Sequence, residues 1–187
     1  MKKQWEIIIS PQEKERIAIT YGDPADALVP TKNYTLYELP NAIANWHALS
    51  PLLKNDHWYD VTAFYSKRRS DLSKKESKQL FEYNQKAFDA AKKLGNLVLY
   101  FQGVLLEIND ETSNEDLNLS FVPNCLSFCI WNTLADAKKG AQASDHKKAA
   151  SMVATWYDGF AIKKYQLMLT KAPQTKQLIF RSHPYQA

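Results

Sequence analysis

An α+β fold with strand–helix–strand–strand–helix–strand order between Trp58 and Thr170 is predicted by three features of the sequence. Apolar residues along this stretch switch twice between a period of two and a period near 3.6. Helix-start chemistry sits at the switches, as Ser73 with Glu76 and Thr133 with Asp136. The chain has 187 residues and is 45% hydrophobic, enough for one good core and short for two full domains.

Each element has its own signal. Trp58 to Ser66 reads as a strand, followed by the basic connection Lys67-Arg68-Arg69-Ser70. Ser73 and Glu76 form a capping box for a long helix whose apolar positions are Leu80, Phe81, Ala87, Phe88, Ala91 and Leu94. Gly95 is a good stop for it. Leu97 to Ile108 reads as an apolar strand, with Gly103 suggesting a bulge or bend, and Asn109 to Asn118 as an acidic loop. Leu119 to Trp131 returns as a strand interrupted at Pro123. Alternation puts Leu126, Phe128 and Ile130 on one of its faces and Ser127, Cys129 and Trp131 on the other. Thr133 opens a helix that Gly140 weakens, and Ser144 can cap a second one. In that second helix His146, Ala150, Val153 and Tyr157 share a stripe. Gly159 ends it, and Phe160 to Thr170 is the last strand. This order is the ferredoxin-like split βαβ arrangement, βαββαβ.

The expected division is a β-rich N-terminal extension or degenerate half-domain over 1–56, the α+β domain over 57–172 and a tail over 173–187. In the extension, Trp5 to Ser10 and Arg16 to Tyr21 read as a hairpin, residues 22–26 as a turn and Tyr34 to Leu39 as a strand. Pro40 and Pro51 bracket a helical turn holding Trp46 and His47. A four-stranded sheet covered by helices on one face leaves the other face apolar. A second copy is expected to cover it, giving a homodimer, unless the extension does so.

Composition narrows the function classes. The net charge of +4 is mild and the lysines are dispersed, so no nucleic-acid partner is expected. No stretch is long and apolar enough to cross a membrane, and the apolar run after the first lysines is too short for a signal sequence. Cys125 and Cys129 lie roughly 13 Å apart along one strand, too far for a disulfide. Reduced thiols of this kind suit a cytoplasmic location. The glycines form neither a dinucleotide fingerprint nor a P-loop, and no histidine spacing makes a metal motif.

Six residues are candidates for a site. His146 is read either as an acid/base or ligand facing a pocket, or as a helix histidine bonded to a carbonyl. Trp131, Trp156 and Tyr157 could line an apolar cavity, with Val153 on the His146 stripe, or could be core. Asn132 could point a carboxamide into the site or flank a helix start. His47 and His57 lack a third ligand, His183 sits in the polar tail, and neither cysteine has a charge beside it to make a nucleophile. Lys67, Arg68 and Arg69 could greet an anionic ligand or lie in a solvated loop.

The order Trp131, then Ser144 and His146, then Trp156-Tyr157 and a strand resembles the second half of a dimeric α+β barrel domain. That superfamily holds the antibiotic-biosynthesis, haem-degrading and spheroidene monooxygenase-like proteins. The spacing looks most like the last group, with Tyr157 in place of that group's phenylalanine. The resemblance implies a small monooxygenase-like oxidoreductase acting on an apolar or aromatic molecule between sheet and helix. His146 and Tyr157 would be its catalytic pair, and Trp131, Asn132, Val153 and Trp156 would contact substrate. It also implies either haem with His146 as axial ligand, or a cofactor-free route in which the substrate carbanion itself meets oxygen. The other reading is a non-catalytic dimeric module that binds a small ligand or haem.

Overall fold

A computed structural model describes residues 5–8, 28–94, 96–104, 117–170 and 177–182 of the chain. Strands β1 (Trp5–Ile8), β2 (Trp58–Arg68), β3 (Leu97–Val104), β4 (Cys125–Trp131), β5 (Tyr157–Leu169) and β6 (Leu178–Ser182) form one sheet. Its order is β1-β3-β4-β2-β5-β6, and every pairing is antiparallel. The four central strands, β3-β4-β2-β5, have the order and directions of a ferredoxin-like βαββαβ sheet. The fold is α+β and ferredoxin-like, as the sequence predicts.

The helices are α1 (Leu39–Ala42), α2 (Lys74–Lys93), α3 (Leu134–Gln142), α4 (Ser144–Ser151) and α5 (Val153–Trp156). The capping box on α2 forms in full: Ser73 Oγ accepts from the Glu76 N–H, and Glu76 Oε2 accepts from the Ser73 N–H at 2.8 Å. At α3, Thr133 Oγ1 accepts from the Asp136 N–H at 3.2 Å and donates to Asp136 Oδ2 at 2.6 Å. Asn96 donates to the other carboxylate oxygen at 2.7 Å. The Thr133 bond leads in holding this carboxyl below the usual aspartate range, with Asn96 adding to it.

Leu126, Phe128 and Ile130 of β4 face a large core, and Cys129 and Trp131 face the helices, as alternation predicts. What covers the large core is residues 28–53 of the same chain. Leu28, Leu39, Ala42, Trp46 and Leu49 are buried against the sheet. Trp46 packs its indole on Phe128 and Phe180, with centroids 5.4 and 4.7 Å away. Glu38 ties the cover down by accepting from Lys163 Nζ and the Tyr165 hydroxyl, and Tyr65 donates to the Tyr37 carbonyl at 3.0 Å. The face that a second copy was expected to cover is therefore covered by the extension.

Several expectations need correction. Tyr34–Leu39 is no strand: Tyr34–Leu36 is a 3₁₀ turn, and α1 follows with Pro40 in its first turn. Tyr34, Thr35 and Leu36 are all buried in succession, so alternation had nothing to select. Phe81 and Leu94 belong to the apolar list of α2 but not to its buried stripe. Leu80 is inward, and Phe81, turned about 100° from it, is 66% exposed.

Gly103 makes no bulge, because it pairs in register with Leu126 and Trp5. A Cβ there would come within 2.3 Å of the Tyr34 hydroxyl, so close packing accounts for the glycine. The return strand begins only at Cys125, after Pro123, whose carbonyl accepts from Thr35 at 2.9 Å. The helix from Ser144 has Ala143 at its N-cap and no side-chain cap, and it breaks at Met152. Tyr157 already belongs to β5, and Gly159 is a strand residue against the Phe121 ring rather than a helix stop. The tail carries β6, whose Leu178 and Phe180 pack on the core. The expected strand over 16–21, the turn over 22–26, the stop at Gly95, the acidic loop up to residue 116 and His183 lie outside the described residues.

Candidate functional site

Period two puts Phe64, Ser66 and Arg68 of β2 on the helical face of the sheet, with Cys125, Ser127, Cys129 and Trp131 of β4 beside them. Helix α2 lays Leu80, Asn84, Ala87 and Ala91 across this face at helical spacing. Between sheet and helices lies a cavity of about 360 Å³, mostly apolar in its walls. Helix α4 contributes His146, α5 contributes Val153 and Trp156, and β5 contributes Tyr157, Phe160 and Ile162.

Strand register gives the cavity two ends. Trp131 pairs with Asp60 and Cys129 with Thr62, toward the start of β2, and Ile162 pairs with Phe64 near its middle. Ser66 pairs with Cys125, and Arg68 with Tyr157, at its finish. The first end is apolar, and the second collects Ser66, Arg68, Asn84 and Tyr157. A smaller cavity of about 190 Å³ shares Phe64, Cys129, Trp131, His146 and Ile162 with the first. His146 thus stands in the partition between the two.

The protonation states follow from burial. His146 Nδ1 is enclosed and, among the described residues, has no hydrogen-bond partner. Burial pulls the His146 pKa below its usual 6.5, so the ring is neutral at neutral pH. The Cys129 thiol is pushed up to about 12 and the Cys125 thiol is also raised, both by burial, so neither is a thiolate nucleophile. Burial raises Tyr157 too, while Asn84 and Arg68 pull it back. Trp156 Nε1 is a second enclosed nitrogen without a partner among the described residues, its indole packed against Tyr83.

Of the six residues singled out from the sequence, five line one cavity: His146, Trp131, Val153, Trp156 and Tyr157. Asn132 does not. Its N–H donates to the Asn96 carbonyl at 3.1 Å and its carbonyl lies 2.9 Å from His57 Nε2, a backbone role at the end of β4. His47 is exposed, and His57 packs edge-on to Tyr59. Among the described residues no three His, Cys, Asp or Glu side chains converge as a metal site. No helix of the described residues is long and apolar enough to cross a membrane.

Sequence reasoning missed Asn84 and Gly140. Asn84 is the polar break in the Leu80–Ala91 stripe, a signal that was present in the spacing. Gly140 weakens α3, yet a Cβ there would lie 2.5 Å from the Trp131 ring, so the glycine seats the tryptophan in the cavity wall.

The PB2B2.08-like family model matches residues 27–179. No curated protein matches the sequence. Among solved structures, the chain is similar to a dimeric ferredoxin-like protein of unknown function from Thermobifida fusca, at 11% identity and TM-score 0.45, over 60% of this chain and 93% of that one. It is also similar to a hydroxynitrile lyase from Passiflora edulis, at 10% identity and TM-score 0.43, over 67% and 97%. A third likeness is to a Nitrosomonas europaea protein described as a candidate antibiotic biosynthesis monooxygenase, at 11% and TM-score 0.36, over 70% and 93%. The fold assignment rests on the strand order, since likenesses this distant carry no activity with them.

Proposed function

The chain belongs to the PB2B2.08-like family, and we propose that it is a small oxygenase-like enzyme without a cofactor, acting on an apolar or aromatic molecule in the cavity. The observation that carries this reading is His146, a neutral imidazole in an apolar wall with an enclosed nitrogen that lacks a partner among the described residues. Among the described lining groups it is the one poised near neutral pH, since the thiols and Tyr157 are shifted up by burial.

In this mechanism His146 removes a proton from a carbon made acidic by an adjoining carbonyl or ring. The carbanion passes electrons to dioxygen, one oxygen atom stays as a new carbonyl, and the other leaves as water: R₂CH₂ + O₂ → R₂C=O + H₂O. The apolar walls keep competing water out.

We read the same residues as not fitting haem. An axial imidazole is normally oriented by a carbonyl or carboxylate on its second nitrogen, and His146 Nδ1 has neither among the described residues. Two propionates would meet one lining guanidinium, Arg68. A volume of about 360 Å³ is also near the small end of ordinary ligand pockets, which span about 300–1,000 Å³.

Every group in this scheme comes from one chain, and residues 28–53 already cover the far face of the sheet. Light scattering should therefore return about the 21.5 kDa of a single copy. A mass twice that would mean that the extension does not remove the drive to pair.

Anthrone, a flat carbon acid, tests the reaction. One dioxygen should be consumed per anthrone, faster than the uncatalysed rate. Activity needs neutral His146, whose pKa lies below 6.5, so uptake should hold at neutral pH and fall only on acidification below 6.5. Anthrone that binds without oxygen uptake would replace the oxygenase reading with that of a ligand-binding module.

A further inference from the structure

We propose that the cavity's ligand is an amphiphilic organic acid, with its carboxylate at Arg68 and its apolar body reaching toward His146. The proposal rests on the reading of this cavity as a small-molecule site and adds the class of molecule. Arg68 ends β2 on the cavity face, two residues beyond Ser66 and opposite Tyr157 across a register shift. Its neighbours differ from it. Arg69 is taken up by Asp71 through two bonds, at 2.9 and 2.8 Å, and by the Thr155 carbonyl at 3.0 Å. Lys67 is exposed and points to the other face by alternation.

Glu76, the next acid after Asp71, is held in the capping box with Ser73. Among the described residues the Arg68 guanidinium thus has no ion-pair partner, although the residue is half-buried beside an apolar space. Asn84, the polar member of the inward stripe of α2, faces the same end, and a second small pocket also joins Arg68, Asn84 and Gln102 there. One fixed positive charge calls for one negative charge. A guanidinium fork matches a carboxylate, and a phosphate dianion would leave half its charge unmatched. From Phe64, near His146, to Arg68 the strand runs roughly 13 Å, the length of a two- or three-ring body.

Binding of 2-naphthoic acid, its methyl ester and 2-naphthylamine to the full chain, followed by tryptophan fluorescence, tests this. The acid should bind at least about tenfold more tightly than the ester or the amine. Arg68→Gln should bring the acid down to the level of the ester and leave the ester within about twofold of the parent, which also shows that the variant is folded. Lys67→Gln should change neither, which rules out a general charge effect. An ester bound as tightly as the acid, or an acid preference that survives in Arg68→Gln, overturns the proposal while the cavity reading stands. If none of the three binds, both fall together.

Discussion

Replacing His146 with glutamine is expected to slow anthrone-dependent oxygen uptake by roughly 10²–10⁴-fold, the usual contribution of a positioned general base. Glutamine keeps much of the side-chain volume and a polar end but cannot accept the proton. The fold should survive, because α4 has no fully buried residue and packs its His146 side against a cavity rather than a filled core. The parent and the variant should therefore show superimposable circular dichroism. A variant as active as the parent removes His146 from the mechanism.

Phe128→Ala is expected to cost about 3–5 kcal/mol in a urea melt. Phe128 is fully buried at the centre of β4, stacked on Phe101 with centroids 4.9 Å apart and an interplanar angle of 14°. It also carries Trp46. Truncation would empty the seat of the N-terminal cover as well as the middle of the sheet, and too many rigid neighbours line the hole for it to close. Phe88, which the periodicity of α2 also placed inward, is only half-buried and should cost clearly less. A loss below about 1 kcal/mol for Phe128→Ala would mean that the extension does not pack as described.

The parts of the fold that were legible in the sequence are those governed by local chemistry. Ser73 with Glu76, Thr133 with Asp136, and the two faces of β4 follow from spacing alone, and the structure keeps each of them. What failed was decided by tertiary contact. Tyr34–Leu36 buries consecutive residues because it lies between other layers, which erases any period. Tyr157 left its expected helix because it pairs across the sheet with Arg68. Gly103 suggests a bulge or bend and Gly140 a weak helix, yet each is small because an aromatic ring from elsewhere sits on it. The site shows the same division. His146 and Trp131 could be placed on their inward faces, but Arg68 looked like one of three equivalent basic residues. The structure sets Arg68 apart, by pairing Arg69 with Asp71, leaving Lys67 exposed and placing Arg68 in the cavity lining.

The most direct measurement of the account is the titration of the His146 imidazole by NMR, with and without 2-naphthoate. Burial of the neutral ring predicts a midpoint below 6.5 in the free protein. By linkage the unfolded chain then binds the proton first, so this histidine's share of folding stability is complete above pH 6.5 and is lost as pH falls through the lowered value. Added ligand should shift the His146 resonances and leave those of the exposed His47 in place. A His146 midpoint at or above 6.5, with no response to a ligand that demonstrably binds, would contradict the account.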